Sequence, residues 1–491
     1  LGAILRYALA TLSTVISLVS LFVCAQEQPP LQNVEAYQPK GATCVIRNEQ
    51  DQIILVQDYL TRKLSLPGGG IESFEALDAA AKRETQEETG IDVDVGKQLA
   101  IDNNRVVFAC KPNKSVGYMN LALQNHFGAA IIPSLNAKHF GKEIRQVYLT
   151  SLTAEVLDNY RYPSDAKTLQ SWIKESHPST FHLLEDLADS ADELQIKQLP
   201  IMASFQHWVS SVPIINNILF FGNSLGEGVF AVGLLVIFLL LLPLRYGLTL
   251  AFTLLATAFS VNLLKMGFSI PRPFYFLPSL QQAQASGFSF PSGHTTQAAA
   301  IIGLLLGWIT KRGEQHGYIG PVTAKVGWLV LSLLTGAARV WLGVHYPTDI
   351  AAGISLGGLI ALVSLTLYRR KYAKQKRFIE SKRLWLLLLI IYFIAALQLL
   401  QPLYVYSWFA ALGLFFSLFF NITPEKGVNI SPWQQVITCL IGAGIIIGLS
   451  LFLITPASSS VLILAVKALA VFSGMLWILI AAPYLMRRFK N

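Results

Sequence analysis

A chain of 491 residues is too long for one ordinary domain, and 53% hydrophobic against 14% charged residues lies outside soluble-globular composition, so part of it must sit in lipid. The net charge of +9 does not point to nucleic acid, because the basic excess gathers in short gaps between apolar runs, where it reads as a topology signal. Four cysteines, Cys24, Cys44, Cys110 and Cys439, show no CxxC spacing and indicate neither a zinc site nor a disulfide scaffold, although a Cys44–Cys110 bridge remains open if that region is exported.

Residues 1–25 are apolar with one early Arg6 and read as a signal peptide or an uncleaved anchor; Cys24 as a lipoprotein site is the minor reading. Residues 38–175 alternate β-like runs (Ala42–Ile46, Ile53–Gln57, Val106–Ala109) with one strong helical segment, Phe74–Thr89, which predicts a soluble α/β domain. Residues 176–206, mixing Pro, Ser and acidic residues, read as a partly helical linker. Nine apolar runs follow, at roughly 228–243, 247–264, 294–310, 326–343, 349–367, 384–400, 404–420, 434–455 and 460–485, most near the ~20 residues that span a bilayer. The fold class is therefore mixed, an α/β domain ahead of a polytopic all-α transmembrane bundle. Arg245, then Lys311, Arg312 and Lys325, then eight basic residues from Arg369 to Arg383, and finally Arg487, Arg488 and Lys490 fall on one side, which predicts that side to be cytoplasmic. Segments 265–293 and 344–348, and the soluble domain, are then expected on the outer face.

Three groups of residues meet on that outer face. Lys265 and Arg272-Pro273 place two cations at a helix end. Pro291-Ser292-Gly293-His294 opens a span, where N–H groups, the Ser292 hydroxyl and the helix dipole can hold an anion. Arg339, His345 and Asp349 complete the set. A phosphoryl group needs its non-bridging oxygens matched, for which Lys265, Arg272, Arg339, Ser292 and Gly293 are the expected binders. His345, with its far ring nitrogen held by Asp349, suits a nucleophile, and His294 suits the group that protonates the leaving oxygen and later activates water. No cofactor is expected at this site.

These spacings resemble the type 2 phosphatidic acid phosphatase family, whose signature runs Lys-x6-Arg-Pro, Pro-Ser-Gly-His and Ser-Arg-x5-His-x3-Asp, over residues 207–370. Ala338 departs from it, standing where the family has Ser. The family also resembles soluble vanadium haloperoxidases, but the surrounding spans argue for a lipid substrate reached from the bilayer. The resemblance implies a lipid phosphate or pyrophosphate phosphatase working through a phosphohistidine, with undecaprenyl pyrophosphate or phosphatidylglycerophosphate as candidate substrates.

Residues 69–91 carry a second constellation: Gly69, Glu75, Arg83-Glu84, Glu87-Glu88 and Gly90 at fixed offsets. Glu84, Glu87 and Glu88 crowd one helical face and repel one another unless a cation joins them; hard oxygen donors suit Mg2+ or Mn2+. Gly69 and Gly70 shape the preceding loop and Gly90 suits a helix C-cap. The pattern resembles the Nudix signature, which implies metal binding by Glu84, Glu87 and Glu88, an Arg83–Glu75 pair that holds the loop, and a small diphosphate-containing substrate. Thr85 replaces the usual aliphatic residue, with a small packing effect expected, and Glu143 is a further candidate carboxylate.

Residues 384–486 supply four more spans with almost no ionisable group inside them apart from Lys467, which is expected to snorkel to the interface or to meet a lipid headgroup. The N-terminal run is a candidate first span of the phosphatase bundle. The leading expectation is a bifunctional hydrolase in a bacterial plasma membrane, both sites facing outward; the alternative makes the N-terminal domain a non-catalytic sensing or docking module and the extra helices a lipid-handling or transport unit.

Overall fold

The computed structural model describes residues 39–102, 104–310, 318–373, 376–420, 431–455 and 457–488; the expectations for residues 1–25 and for Lys311, Arg312 and Lys490 lie outside them.

The N-terminal domain carries β1 (Gly41–Val45), β2 (Ile53–Asp58), β3 (Leu64–Ser65), β4 (Gly68–Gly70), helix α1 (Leu77–Thr89), β5 (Val93–Asp102), β6 (Arg105–Pro112), β7 (Val116–Tyr118), β8 (Ala130–Ile132), β9 (Ile144–Thr150), short helices α2 (Ala154–Asp158) and α3 (Leu169–Glu175), and β10 (Phe181–Leu183). One sheet runs β4-β1-β6-β5 with β1 parallel to β6, a second runs β3-β2-β9-β8, and β10 pairs with β7. Central strands β1 and β2 are buried almost throughout, the apolar-run pattern of strands covered on both faces. Helix α1 packs on β1 through Ala80 and Ala81, where small side chains allow close approach. Cys44 and Cys110, on the neighbouring strands β1 and β6, form a disulfide.

The stretch expected to be a linker is instead built into both halves. Strand β10 belongs to the N-terminal domain, while α4 (Glu193–Ser210) starts from an Asp192–Gln195 capping box and lies on the helical part. Gln206 donates to the carbonyls of Leu280 and Trp341, and the Gln198 side chain accepts from Thr348 N at 2.9 Å. Polar residues that look like linker composition are therefore cross-links.

The helical part continues with α5 (Pro213–Ser224), α6 (Gly228–Leu241), α7 (Leu244–Phe268), α8 (Gly293–Ile309), α9 (Pro321–Trp341), α10 (Pro347–Arg369), α11 (Lys382–Leu399), α12 (Pro402–Ser417), α13 (Pro432–Ile454), α14 (Ser460–Leu476) and, after a π-turn, α15 (Ala482–Arg488). The nine apolar runs do not all form full spans: among the described residues six helices are long and apolar enough to cross a membrane, and a seventh arises if α5 and α6, bent by 52°, count as one. Two of the nine, α8 and α12, reach only 17 and 16 residues. Hydropathy counts apolar residues without knowing whether protein or lipid surrounds them, and α8 is largely buried against α7, α9 and α10.

The two halves share apolar packing. Val45, Tyr148 and Trp172 lie in one cluster with Phe274, Tyr275, Trp341 and Leu342 of the helical part. Phe140 meets Phe288 edge-on with ring centroids 5.6 Å apart, and Gln124 donates to the Ala285 carbonyl. The last helices hold the opposite flank. Arg161 donates to Ser458 O and Ser460 Oγ, and Ser460 donates to Asp58. Lys467 does not reach for a headgroup; it donates to Leu60 O of the N-terminal domain at 3.1 Å.

Candidate functional site

The face of the helical part that meets the N-terminal domain holds all three phosphate motifs. Lys265, near the end of α7, donates to the carbonyls of Phe288 and Ser289. Arg272 is tied by Nε to Gly287 O (3.0 Å), by one terminal nitrogen to Val344 O (2.8 Å) and by the other to Ser286 O (2.9 Å). Two long side chains are thus immobilised by backbone carbonyls before any ligand arrives, the preorganisation that makes a charge effective toward a developing anion. Arg339, on α9, donates to Asn223 Oδ1 at 2.8 Å, while its buried Nε has no acceptor among the described residues. A buried guanidinium N–H without a partner costs stability unless an anion supplies the acceptor.

His345 sits in the turn between α9 and α10, with Nδ1 3.3 Å from Asp349 Oδ2 and Nε2 3.4 Å from the Arg272 guanidinium. Nδ1 therefore carries the proton toward the carboxylate and Nε2 keeps its lone pair toward the cations. Burial first, then the charges of Arg272, Lys265 and Arg339, push the His345 pKa well below its ordinary value, so the imidazole is neutral as a nucleophile requires. Asp349 also accepts from Tyr346 N at 2.9 Å and from the hydroxyl of Ser289. Sequence reasoning missed Ser289; its only signal is its place three residues ahead of Ser292.

Ser292, an expected phosphate binder, also has a structural part. Its hydroxyl caps α8 through Thr295 N and its N–H donates to Asp349 O, so it fixes the helix and the dyad relative to each other. Gly293 occupies the first turn of α8, whose N–H groups have no intrahelical acceptor. His294 and Arg339 line a cavity of about 550 Å³ with Asn223, Glu227, Gln282 and Trp341. Ala338 is fully buried against this core.

In the N-terminal domain Arg83 pairs with Glu75 through two bonds of 2.7 and 2.9 Å and donates to Gly70 O at 2.8 Å, tying the loop to α1. The Arg83 hydrogen bond holds the Glu75 pKa down to about 2. Gly90 ends α1 in the left-handed region, φ 76°. Gly69 lies against Glu84, whose carboxyl would stand 2.5 Å from a Cβ there, so only glycine leaves that carboxylate room.

The structure divides the three predicted metal carboxylates. Glu84 and Glu87 converge with His139, their donor atoms within 4.8 Å of one another, whereas Glu88 turns inward and accepts from Gly68 N at 2.8 Å. Burial raises the Glu84 pKa and lifts that of Glu88 well above the carboxylate range. Glu87 also feels burial, but the hydrogen bond from Lys138 and the charges of His139, Lys138 and Arg83 carry its pKa down. Arg83 and Lys138 pair with these carboxylates and His139 Nε2 stands 3.5 Å from Glu87; two carboxylates with an imidazole are donors that fit Mg2+ or Mn2+. His139 has no signature position and only folding brings it in; Glu143 stands 3.6 Å behind it.

Comparison with known proteins agrees with this division. The family model for the NUDIX domain matches residues 38–127 and that for the PAP2 superfamily matches residues 246–373. The chain is 37% identical over 82 residues to the undecaprenyl-diphosphatase BcrC of Bacillus subtilis (strain 168), covering 16% of this chain and 32% of that protein. It is 33% identical over 153 residues to the probable lipid phosphate phosphatase beta of Arabidopsis thaliana, covering 27% of this chain and 70% of that protein. Of the first curated relatives the chain spans between about a third and a half of the length. Among solved structures, a NUDIX hydrolase from Nitrosomonas europaea matches at 20% identity with a TM-score of 0.21, over 31% of this chain and 80% of that one.

Proposed function

Because the chain belongs to the PAP2 superfamily and carries a NUDIX domain ahead of that part, we propose that it is a membrane hydrolase of phosphoric esters and anhydrides with two separate sites. The helical site dephosphorylates a lipid phosphate or pyrophosphate. The observation that carries this reading is the His345–Asp349 pair facing three immobilised cations, Lys265, Arg272 and Arg339, in a buried pocket. Such an excess of buried positive charge is costly unless an anion joins it. His345 Nε2 attacks phosphorus, Asp349 stabilises the imidazolium side of the phosphohistidine, and His294 gives its proton to the leaving oxygen. Among lipids, undecaprenyl pyrophosphate ranks first, on the likeness to an undecaprenyl-diphosphatase, with phosphatidylglycerophosphate next.

The NUDIX half would hold Mg2+ or Mn2+ on Glu84 and Glu87, with His139 beside them and Glu88 supporting the loop through Gly68. The ion would polarise a diphosphate and lower the pKa of bound water. The residues themselves shape the site: Arg83 keeps the loop closed and Gly69 leaves the Glu84 carboxylate its space. A docking role for this domain is a second reading, favoured by Gln124 and Phe140, which rest on the 283–288 loop whose carbonyls hold Lys265 and Arg272. Both roles are compatible in one domain.

We place both sites on the outer face of a bacterial plasma membrane. The Cys44–Cys110 disulfide suits an oxidising compartment, and the N-terminal domain packs on the motif-bearing face. A single cysteine at exposed Lys97 should react with an impermeant maleimide in intact cells; protection until lysis contradicts this placement.

Phosphate release by the full chain in detergent, from undecaprenyl pyrophosphate with and without EDTA, tests the main reading. Activity should resist EDTA and vanish with His345→Ala. Loss with EDTA or with Glu87→Gln would instead assign the hydrolysis to the NUDIX half.

A further inference from the structure

Glu227 lies at the break between α5 and α6 and belongs to none of the three phosphatase motifs. It is the N-cap residue of α6, yet its side chain makes no capping bond. Its Oε1 instead accepts from Asn223 Nδ2 at 2.8 Å and stands 3.9 Å from His294 Nε2, the only carboxylate in ion-pair range of that ring among the described residues. The break itself is fastened to α8: Gln297 donates to the carbonyls of Gly226 and Glu227, at 3.0 and 3.1 Å. Gly226 presses on His294 so closely that a Cβ would come within 2.6 Å of the His294 carbonyl oxygen. Asn223 meanwhile accepts from Arg339, so one amide links the carboxylate to the phosphate-binding cation. Glu227, Asn223, His294 and Arg339 all line the same cavity. A glycine, a glutamine and an asparagine are thus spent on bringing one half-exposed carboxylate to one imidazole.

Resting on the phosphatase reading above, we propose that Glu227 is a positioning residue that keeps the proton on His294 Nε2 for the leaving-group step. The charged and titratable groups that face His294 are Glu227 from the break, Arg339 from α9, Lys265 from α7, Arg272 after it and His345 from the α9–α10 turn. Burial and three of these groups, which are cations, work against a second positive charge, and Glu227 is the carboxylate placed to oppose them. In the first half-reaction the His345 Nε2 lone pair forms the N–P bond, the P–O bond to the lipid breaks, and the leaving oxygen takes the proton from His294 Nε2. In the second, His294 takes a proton from water as the water oxygen bonds phosphorus; the N–P bond breaks, its electron pair returns to His345, and inorganic phosphate leaves. His294 is then protonated again beside Glu227.

The test compares two substrates that differ in their need for that proton. With phosphatidic acid the leaving group is an alkoxide; with p-nitrophenyl phosphate it is a stable phenolate. In the full chain, Glu227→Gln should lower kcat on phosphatidic acid by about tenfold to a hundredfold, the scale of general-acid assistance, while barely changing p-nitrophenyl phosphate turnover. The alkaline limb of the phosphatidic acid profile should move to lower pH, because removal of a neighbouring carboxylate makes the imidazolium easier to deprotonate. Glu227→Asp should restore part of both. Equal losses on the two substrates with an unmoved pH limb would overturn the proposal in favour of a structural role, and full retention of activity would overturn it outright. Absence of any His345-dependent phosphate release in the wild type would instead bring down the phosphatase reading, and this inference with it.

Discussion

On the reading proposed above, the two sites address the same chemical bond, phosphorus to bridging oxygen, with opposite charge. In the helical part Lys265 and Arg272 are fixed by backbone carbonyls and Arg339 by the Asn223 amide; in the NUDIX domain the carboxylates come from one helical face and pair with Arg83 and Lys138, with His139 beside them. The first arrangement supplies its own electrophilic surface and needs only the anion. The second is a carboxylate cluster that, on the same reading, would hold a divalent ion. Location goes with strategy: cations whose bonds are satisfied by carbonyls can sit deep in a helical bundle, while a carboxylate cluster that must exchange an ion stays near solvent.

Substitutions that strike one site and spare the other break the comparison most sharply. Arg272→Ala removes the donor that binds Gly287, Ser286 and Val344 and faces His345, and should lower lipid phosphate release by about a thousandfold or more, leaving Mn2+ binding by the NUDIX half unchanged; paired activity and metal-titration measurements check this. Glu87→Gln should do the reverse, cutting metal-dependent diphosphate hydrolysis by about a hundredfold with lipid phosphate release intact. Ser289→Ala removes one hydrogen bond to Asp349, worth about 1.5 kcal/mol for a charged acceptor, and should slow lipid phosphate release about tenfold. The smallest effect concerns stability. Thr85 is fully buried and its hydroxyl has no partner among the described residues, so Thr85→Val should stabilise the NUDIX domain by about 1 kcal/mol, read as a rise in its unfolding temperature.

Much of this was legible in the chain because the motifs are local. Lys265, Arg272, His294, Arg339, His345 and Asp349 each sit at a helix end, and a helix end is readable from where an apolar run stops. The Arg83–Glu75 pair and the Gly90 cap follow from offsets within one loop and helix. What escaped was set by contacts between elements. Ser289 joins the dyad only because the 283–290 loop folds back under Lys265, His139 reaches Glu87 from the loop between β8 and β9, and Glu227 reaches His294 only because α5 and α6 bend. Thr85 was read as a mild packing change, yet its unpaired hydroxyl depends on burial that a single sequence does not display. Gln198 and Gln206 misled in the other direction, since polar composition reads as linker until the acceptors on the helical part are visible.

The central claim is that His345 carries the phosphoryl group without help from a metal. It is tested most directly by mass spectrometry of alkaline-quenched full-length protein, mixed with undecaprenyl pyrophosphate in EDTA. The account predicts phosphate on His345 in the wild type, more of it in His294→Ala, where hydrolysis of the intermediate is slowed, and none in His345→Ala. Phosphate release in EDTA with no phosphohistidine in any variant, or label that persists in His345→Ala, would contradict it.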